Sequence, residues 1–314
     1  MSYYLRTGAG PPQIWRIEDG VAVRVGVANP ERGPGTYFKA EPGETIWEAI
    51  QRQASAWFEP DGRSPFHKTV LGPGEFYPRM ARPIDQHPTD PIGWSPSAKI
   101  EPDIVAIARG QLNTLTRQLA RICQTVHPTE QTFSTFGHEI RNLLILACTE
   151  VEAHWRGVLV ANGVTKDRYS TKDYVALRDA MKLDEFAVTF PNYPWLAALK
   201  PYEAWGSTDS PTRDLKWYDA YNAVKHSRET EFQQANLRRV FEVVSACVIM
   251  IVAQFGLPAG LGQGSELRSF FHFVAVPSWP LSEIYLFPYD KPAGGWTPVD
   301  FEFGATFAPR DRPA

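Results

Sequence analysis

The chain is poor in cysteine, with three among 314 residues, an odd number. Cys123, Cys148 and Cys247 each sit inside an apolar helical pattern. That argues against a disulfide framework or a zinc site and reads as free buried thiols in a reducing compartment. A basic excess is missing too, since the formal net charge is −3. No global field draws the chain to nucleic acid, so any RNA contact must come from a local patch. The most apolar run, 243–255, is too short to span a bilayer. The N-terminus, Met-Ser-Tyr-Tyr-Leu-Arg-Thr-Gly, lacks the basic and apolar regions of a signal peptide. These absences predict a cytoplasmic location and no membrane partner. The sequence also has no G-x-x-x-x-G-K-[ST] loop, no G-x-G-x-x-G after a strand, no H-E-x-x-H and no G-x-S-x-G elbow. NTPase, dinucleotide oxidoreductase and hydrolase chemistry are therefore weak readings, and neither a metal nor a cofactor is expected. The glycines at 256, 260, 262 and 264 follow a helix and predict a flexible exit loop.

What is present is ample core material: 43% hydrophobic against 21% charged residues. In residues 1–102, Gln13 to Glu18 and Val21 to Val27 read as short strands around a turn at Asp19-Gly20. Glu44 to Trp57 has helical periodicity. Prolines at 60, 65, 73, 78, 83, 88, 91, 96 and 102 then predict an irregular, extended wrap anchored by Phe66, Phe76, Tyr77 and Trp94. Residues 103–257 turn helical. One helix runs from an Asp103 cap to about Val126, and a second from Thr129 or Ser134 to Asn162-Gly163. Ser170-Thr171-Lys172-Asp173 starts a short helix reaching about Asp184. Two more are expected over 212–227 and 229–255, closed by Gly256-Leu257-Pro258. In 258–314 short strands are expected at 270–276, 283–287 and 296–303. The fold predicted is mainly α: an antiparallel helical bundle with proline- and aromatic-rich extensions that contain a little β-structure.

The candidate site is Trp217 to Arg228. On a helix, Asp219, Asn222 and His226 fall at i, i+3 and i+7, one face, while Tyr218, Tyr221, Lys225 and Arg228 form a neighbouring stripe. The helix ending at Asn162 carries Glu139 and Glu150 on one line and Arg141 and Glu152 on a second, with Cys148 between the latter pair. A carboxylate aligned with apolar residues needs a partner or a cleft. Arg141, Lys225 and His226 are the candidates. Glu150 and His154 stand four apart with no second copy of the pair, which does not fit a di-iron bundle site. Trp195, Tyr202, Trp205 and Trp217 are either base-stacking surfaces or packing anchors, with packing favoured.

The run Tyr221-Asn222-Ala223-Val224-Lys225-His226 resembles the HEPN (higher eukaryote and prokaryote nucleotide-binding) helical bundles, whose hallmark is Arg, a polar residue, a few residues and His. The pairing of Glu139-Ile140-Arg141 and Glu150-Val151-Glu152-Ala153-His154-Trp155 with Trp217 to His226 is similar to an uncharacterised bacterial group. The resemblance covers roughly 104–255 and implies a HEPN-like bundle, a homodimer, and a toxin or phage-defence setting. It also implies a metal-independent ribonuclease in which His226 moves the proton, Asn222 orients it and a cation stabilises the phosphorane. Tyr221 stands where those proteins have Arg, so Lys225, Arg228 or Arg141 would supply the charge. Three alternatives follow. The chain is a non-catalytic HEPN-like module binding RNA, a nucleotide or a protein partner through Asp219, Tyr221, Arg141, Glu150, Glu152 and Trp217; or it is a ribonuclease; or Asp219, Asn222, Lys225, His226, Glu150 and Arg141 form a buried polar network that sets helix register.

Overall fold

The computed structural model describes residues 1–8, 10–58, 63–88, 93–289 and 295–304. Pro60, Pro91 and the side chain of Arg228 lie outside the described residues. The chain forms two compact units: residues 1–76, 82–93 and 279–299, and residues 77–81, 94–278 and 300–314.

The first unit corrects the predicted fold class. It holds a five-stranded sheet in the order β4-β3-β2-β1-β5, antiparallel throughout. The strands are β1 (Ser2–Arg6), β2 (Gln13–Glu18), β3 (Val21–Arg24), β4 (Tyr37–Lys39) and β5 (Phe66–Lys68). With 46% helix and 14% strand, the chain is a mixture of α and β, not a mainly α bundle with β-trimmings. The turn at Asp19-Gly20 joins β2 to β3, with φ of 46° and 74°, the left-handed pair a tight hairpin needs. Helix α1 (Ile46–Gln53) begins with a capping box in which Thr45 and Glu48 each accept from the other's backbone N–H. Strand alternation then decides which residues meet α1. Trp15, Phe38 and Phe66 pack with Ile46, Ala49 and Ile50 on one face. Leu5 and Ile14, one residue out of step, pack with Ile284 and Leu286 on the other. Strand β6 (Glu75–Phe76) pairs in parallel with β9 (Thr297–Pro298). The strand expected at 283–287 is not formed; a 3₁₀ turn covers Leu281–Glu283, and Tyr285 makes only an isolated bridge to Ile84.

The second unit is helical. Its elements are α2 (Ser97–Ile100), α3 (Pro102–Thr125), α4 (His138–Ala161), α5 (Thr171–Tyr174), α6 (Ala176–Ala180), α7 (Pro211–Asp214), α8 (Lys216–His226), α9 (Arg228–Glu231), α10 (Leu237–Phe255), α11 (Leu257–Leu261) and α12 (Glu266–Phe270). A two-stranded ribbon of β7 (Ala187–Thr189) and β8 (His272–Ala275) accompanies them. Helix α3 buries Val105, Ala108, Leu112, Leu115, Leu119 and Ile122, a stripe at three- and four-residue spacing. Helix α10 is buried all round from Val243 to Phe255, so it is the central helix of this unit.

The bundle is not uniformly antiparallel. Cys247 Sγ meets the Ala147 carbonyl at 3.3 Å and Gln254 Nε2 meets His154 Nδ1 at 3.0 Å, so α4 and α10 run in the same direction. Helix α10 also starts later than its composition suggests. Leu237 and Arg238 donate their N–H groups to the Thr135 and Phe133 carbonyls, and Asn236 caps the helix by accepting from the Arg239 N–H. The expected helix over 212–227 is broken at Leu215, whose backbone is extended, and the expected glycine loop contains α11. Helix α4 ends as predicted, with Gly163 at φ 77° after Asn162. The Asn162 carboxamide donates to the Val158 and Pro78 carbonyls, at 2.8 Å each.

Candidate functional site on helices α4 and α8

Helix α8 lies antiparallel to α4. Tyr218 meets Glu152, while the Phe232 ring, beyond the end of α8, lies 5.0 Å from that of His138 at the start of α4. The side of α8 toward the core carries Trp217, Tyr218, Ala220, Tyr221 and Val224, all buried. Trp155 of α4 is the hub of an aromatic layer. Its ring stacks on Trp205 at 4.8 Å and lies 5.9 Å from Trp217, 5.5 Å from Tyr218 and 5.2 Å from Tyr174. Trp217 donates its indole N–H to the Pro201 carbonyl at 3.0 Å. Tyr202 and Trp205 are fully buried. Three of the four aromatics considered as base platforms are therefore packing anchors; Trp195 alone is half-exposed, stacked on His127 at 4.9 Å.

The stripe of Tyr218, Tyr221 and Lys225 forms a connected polar seam along this layer. Tyr218 donates its hydroxyl to the Glu152 carboxylate at 2.5 Å. Burial, and then the adjacent Glu152 charge, push its pKa upward. The Tyr221 ring lies 5.5 Å from that of Tyr218, and the Lys225 ammonium donates to the Tyr221 hydroxyl at 3.1 Å. That hydrogen bond, with smaller help from Glu152, raises the Lys225 pKa and keeps it cationic. Sequence reasoning missed Tyr174, which burial and Glu152 push up to about 12. Its only sequence signal is the Ser170–Asp173 capping box that sets α5 against this layer.

The other predicted face points away from the core. Asp219 and Asn222 are half-buried and His226 is exposed. None of the three has a side-chain hydrogen bond or ion pair among the described residues. Arg141 is half-buried, gives one hydrogen bond to the neighbouring Asn142 carboxamide at 3.2 Å, and leaves its buried Nε unpaired. Arg141 therefore does not reach Glu152, and among the described residues the register-setting network of Asp219, Asn222, Lys225, His226, Glu150 and Arg141 is not assembled; the hydrogen bond from Tyr218 to Glu152 joins α8 to α4 instead.

Glu150 belongs to a separate cluster. It lies 3.3 Å from His154 Nε2, and Gln254 of α10 donates to His154 Nδ1 at 3.0 Å and to the Met250 carbonyl at 3.0 Å. The Met250 bond fixes which end of the Gln254 amide is nitrogen, so Nδ1 accepts and the His154 proton sits on Nε2, which lies near Glu150 but makes no hydrogen bond with it. A charged Glu150 would favour imidazolium, yet burial, aided by the Arg79 guanidinium, pulls the His154 pKa down to about 4. Burial also raises the Glu150 pKa. Desolvation wins at both partners, and the imidazole is neutral. Arg79 itself forms a bidentate pair with Glu101 and lies against Gly157, where a side chain would collide with it. Gln254 is the only amide in α10, and that isolation in an apolar helix was the available sequence signal.

Cys148 and Cys247 are buried free thiols whose pKa values burial raises well above the ordinary range, so neither is an activated nucleophile. Among the described residues no group of three or more His, Cys, Asp and Glu is placed to hold a metal ion, and no helix is long and apolar enough to cross a membrane. No family model, no curated protein and no solved structure matches the chain.

Proposed function

We propose that the chain is a non-catalytic, HEPN-like module that binds RNA at the solvent-facing end of α8, with Asn222 and His226 of the outward face and the exposed Lys225 of the neighbouring stripe as the contact residues. The observation that carries this reading is the division of α8. Tyr221, at the position where the resembled bundles have Arg, is 3% exposed and committed to the aromatic layer, whereas the exposed His226 and half-buried Asn222 have no side-chain partner among the described residues. A proton-transfer site needs a second group within about 2.6–3.2 Å of the first or of a shared substrate. No titratable side chain among the described residues pairs with His226 in that way. Lys225, held cationic beside Tyr221, supplies a fixed positive charge for a phosphate. The resemblance adds the expectation that the module is a homodimer.

The ribonuclease reading keeps one observation in its favour. An exposed, unpartnered His226 is the state in which a histidine can exchange protons with a bound 2′-hydroxyl. Fluorescence anisotropy of a labelled single-stranded RNA, run in EDTA beside a gel assay of the same RNA, separates the two. Binding without cleavage, weakened about tenfold in Lys225→Ala and His226→Ala, is the expected result. Cleavage that disappears in His226→Ala would replace the binding module with the nuclease. No RNA binding by the intact chain, with capture of a protein instead, would overturn both.

A further inference from the structure

A cleft between α3, α12 and the residues just after β7 takes no part in the α4–α8 site. It encloses about 310 Å³, at the lower end of the roughly 300–1,000 Å³ that small-molecule sites occupy. Its lining divides by chemistry. Ala120, Leu267 and Phe270 make an apolar floor. Leu267 and Phe270 are 1% and 8% exposed, so the core fixes their positions. Phe270 is further held edge-on to Phe190, with ring centres 5.7 Å apart. Two carboxamides, Asn113 of α3 and the exposed Asn192, face the same space. Neither makes a side-chain hydrogen bond among the described residues. At the rim Arg117 and Glu266 pair at 3.3 Å, both side chains about three-quarters exposed. A pair that exposed is weak and opens readily.

Each carboxamide offers a donor pair and an acceptor. Two of them over an apolar floor match a flat, neutral ring whose edge carries both donors and acceptors. A plain hydrocarbon would cover the amides and leave them unpaired, which costs free energy. A charged group buried against the floor would find no counter-charge there, because Ala120, Leu267 and Phe270 carry none. We propose that this cleft binds a nucleobase-type heterocycle in nucleoside form. The base lies against Leu267 and Phe270, Asn113 and Asn192 hydrogen-bond its edge, and the sugar sits at the Arg117–Glu266 rim. The inference stands on this cleft alone and is independent of what α8 does.

Saturation-transfer NMR of the full chain with adenosine, guanosine, cytidine and uridine tests it, followed by titration of whichever binds. At least one nucleoside is expected to bind with a sub-millimolar Kd. Ala120→Leu, which fills the floor, abolishes that binding. Asn192→Leu, at an exposed position that leaves the core untouched, weakens it about fivefold, the equivalent of one hydrogen bond. Thermal melts show that each variant is folded; if Ala120→Leu does not fold, Asn192→Leu decides alone. Failure of all four nucleosides to bind at millimolar concentration would overturn the proposal. So would a Kd unchanged in Asn192→Leu, which would put the ligand elsewhere.

Discussion

His154 and His226 are both on helices of the same unit and belong to opposite environments. His154 is 7% exposed, bonded to Gln254 through Nδ1 with Glu150 3.3 Å from Nε2, and so depressed in pKa that it stays neutral at ordinary pH. His226 closes α8 in solvent with no partner among the described residues. The same division runs along α8 itself: Trp217, Tyr218 and Tyr221 are built into the aromatic layer around Trp155, whereas Asp219, Asn222 and His226 have no side-chain hydrogen bond or ion pair among the described residues. A polar side chain with every partner satisfied inside the protein contributes to stability and has nothing left for a ligand. One that is accessible and unpaired contributes little to stability and keeps its full hydrogen-bonding capacity. Richness of a motif in titratable residues therefore does not mark a site until its two sides are separated.

The contrast can be broken from the sealed side first. Trp217→Ala empties a fully packed position and loses the Pro201 bond, so urea unfolding should show a loss of about 3–5 kcal/mol; a loss below about 1 kcal/mol would mean the aromatic layer is not what holds α8. The next effect is pH dependence. Because folding lowers the His154 pKa from its ordinary value near 6.5 to about 4, its contribution is intact above that ordinary value and is lost as pH falls through the window down to about 4. The shift corresponds to about 3 kcal/mol. The raised Glu150 pKa acts in the opposite sense, since protonating that carboxyl relieves its burial. Denaturant titrations between pH 7 and pH 4 should show stability falling, and His154→Gln, which cannot take up a proton, should flatten the curve. Tyr218→Phe removes the hydroxyl that satisfies Glu152 and should cost about 1–3 kcal/mol, smaller than Trp217→Ala because the ring remains. The smallest effects belong to the open side: His226→Ala and Asn222→Ala should change stability by no more than about 0.5 kcal/mol.

Local signals in the sequence were reliable where the cause is itself local. The Asp19-Gly20 hairpin, the Ser170–Asp173 capping box and the Asn162-Gly163 helix end each depend on residues within one turn of each other. The sheet depends on distant ones. Strand β1 pairs with β5, which lies in the proline-rich stretch beyond Phe58, and neither the Ser2–Arg6 run nor Phe66–Lys68 has enough alternation to announce a partner so far away. That is why a chain read as mainly α carries five antiparallel strands. At the site, the helical spacing of Tyr218, Tyr221 and Lys225 correctly put them on one stripe, since spacing is a property of one helix. Which stripe faces the core depends on α4 and on Trp155, and so does the pairing of Glu152 with Tyr218 instead of Arg141. The link from His154 to Gln254 needed the parallel alignment of α4 and α10, which no spacing within either helix encodes.

The central claim is that α8 separates stability from binding along its two sides. The most direct measurement is to take His226→Ala and Tyr218→Phe through one thermal melt and one single-stranded RNA titration in EDTA. The account predicts that His226→Ala melts with the parent and binds RNA about tenfold more weakly, while Tyr218→Phe melts several degrees lower and binds RNA unchanged at a temperature where it is folded. A His226→Ala protein that melts early, or one that binds RNA as the parent does while Tyr218→Phe does not, would contradict it.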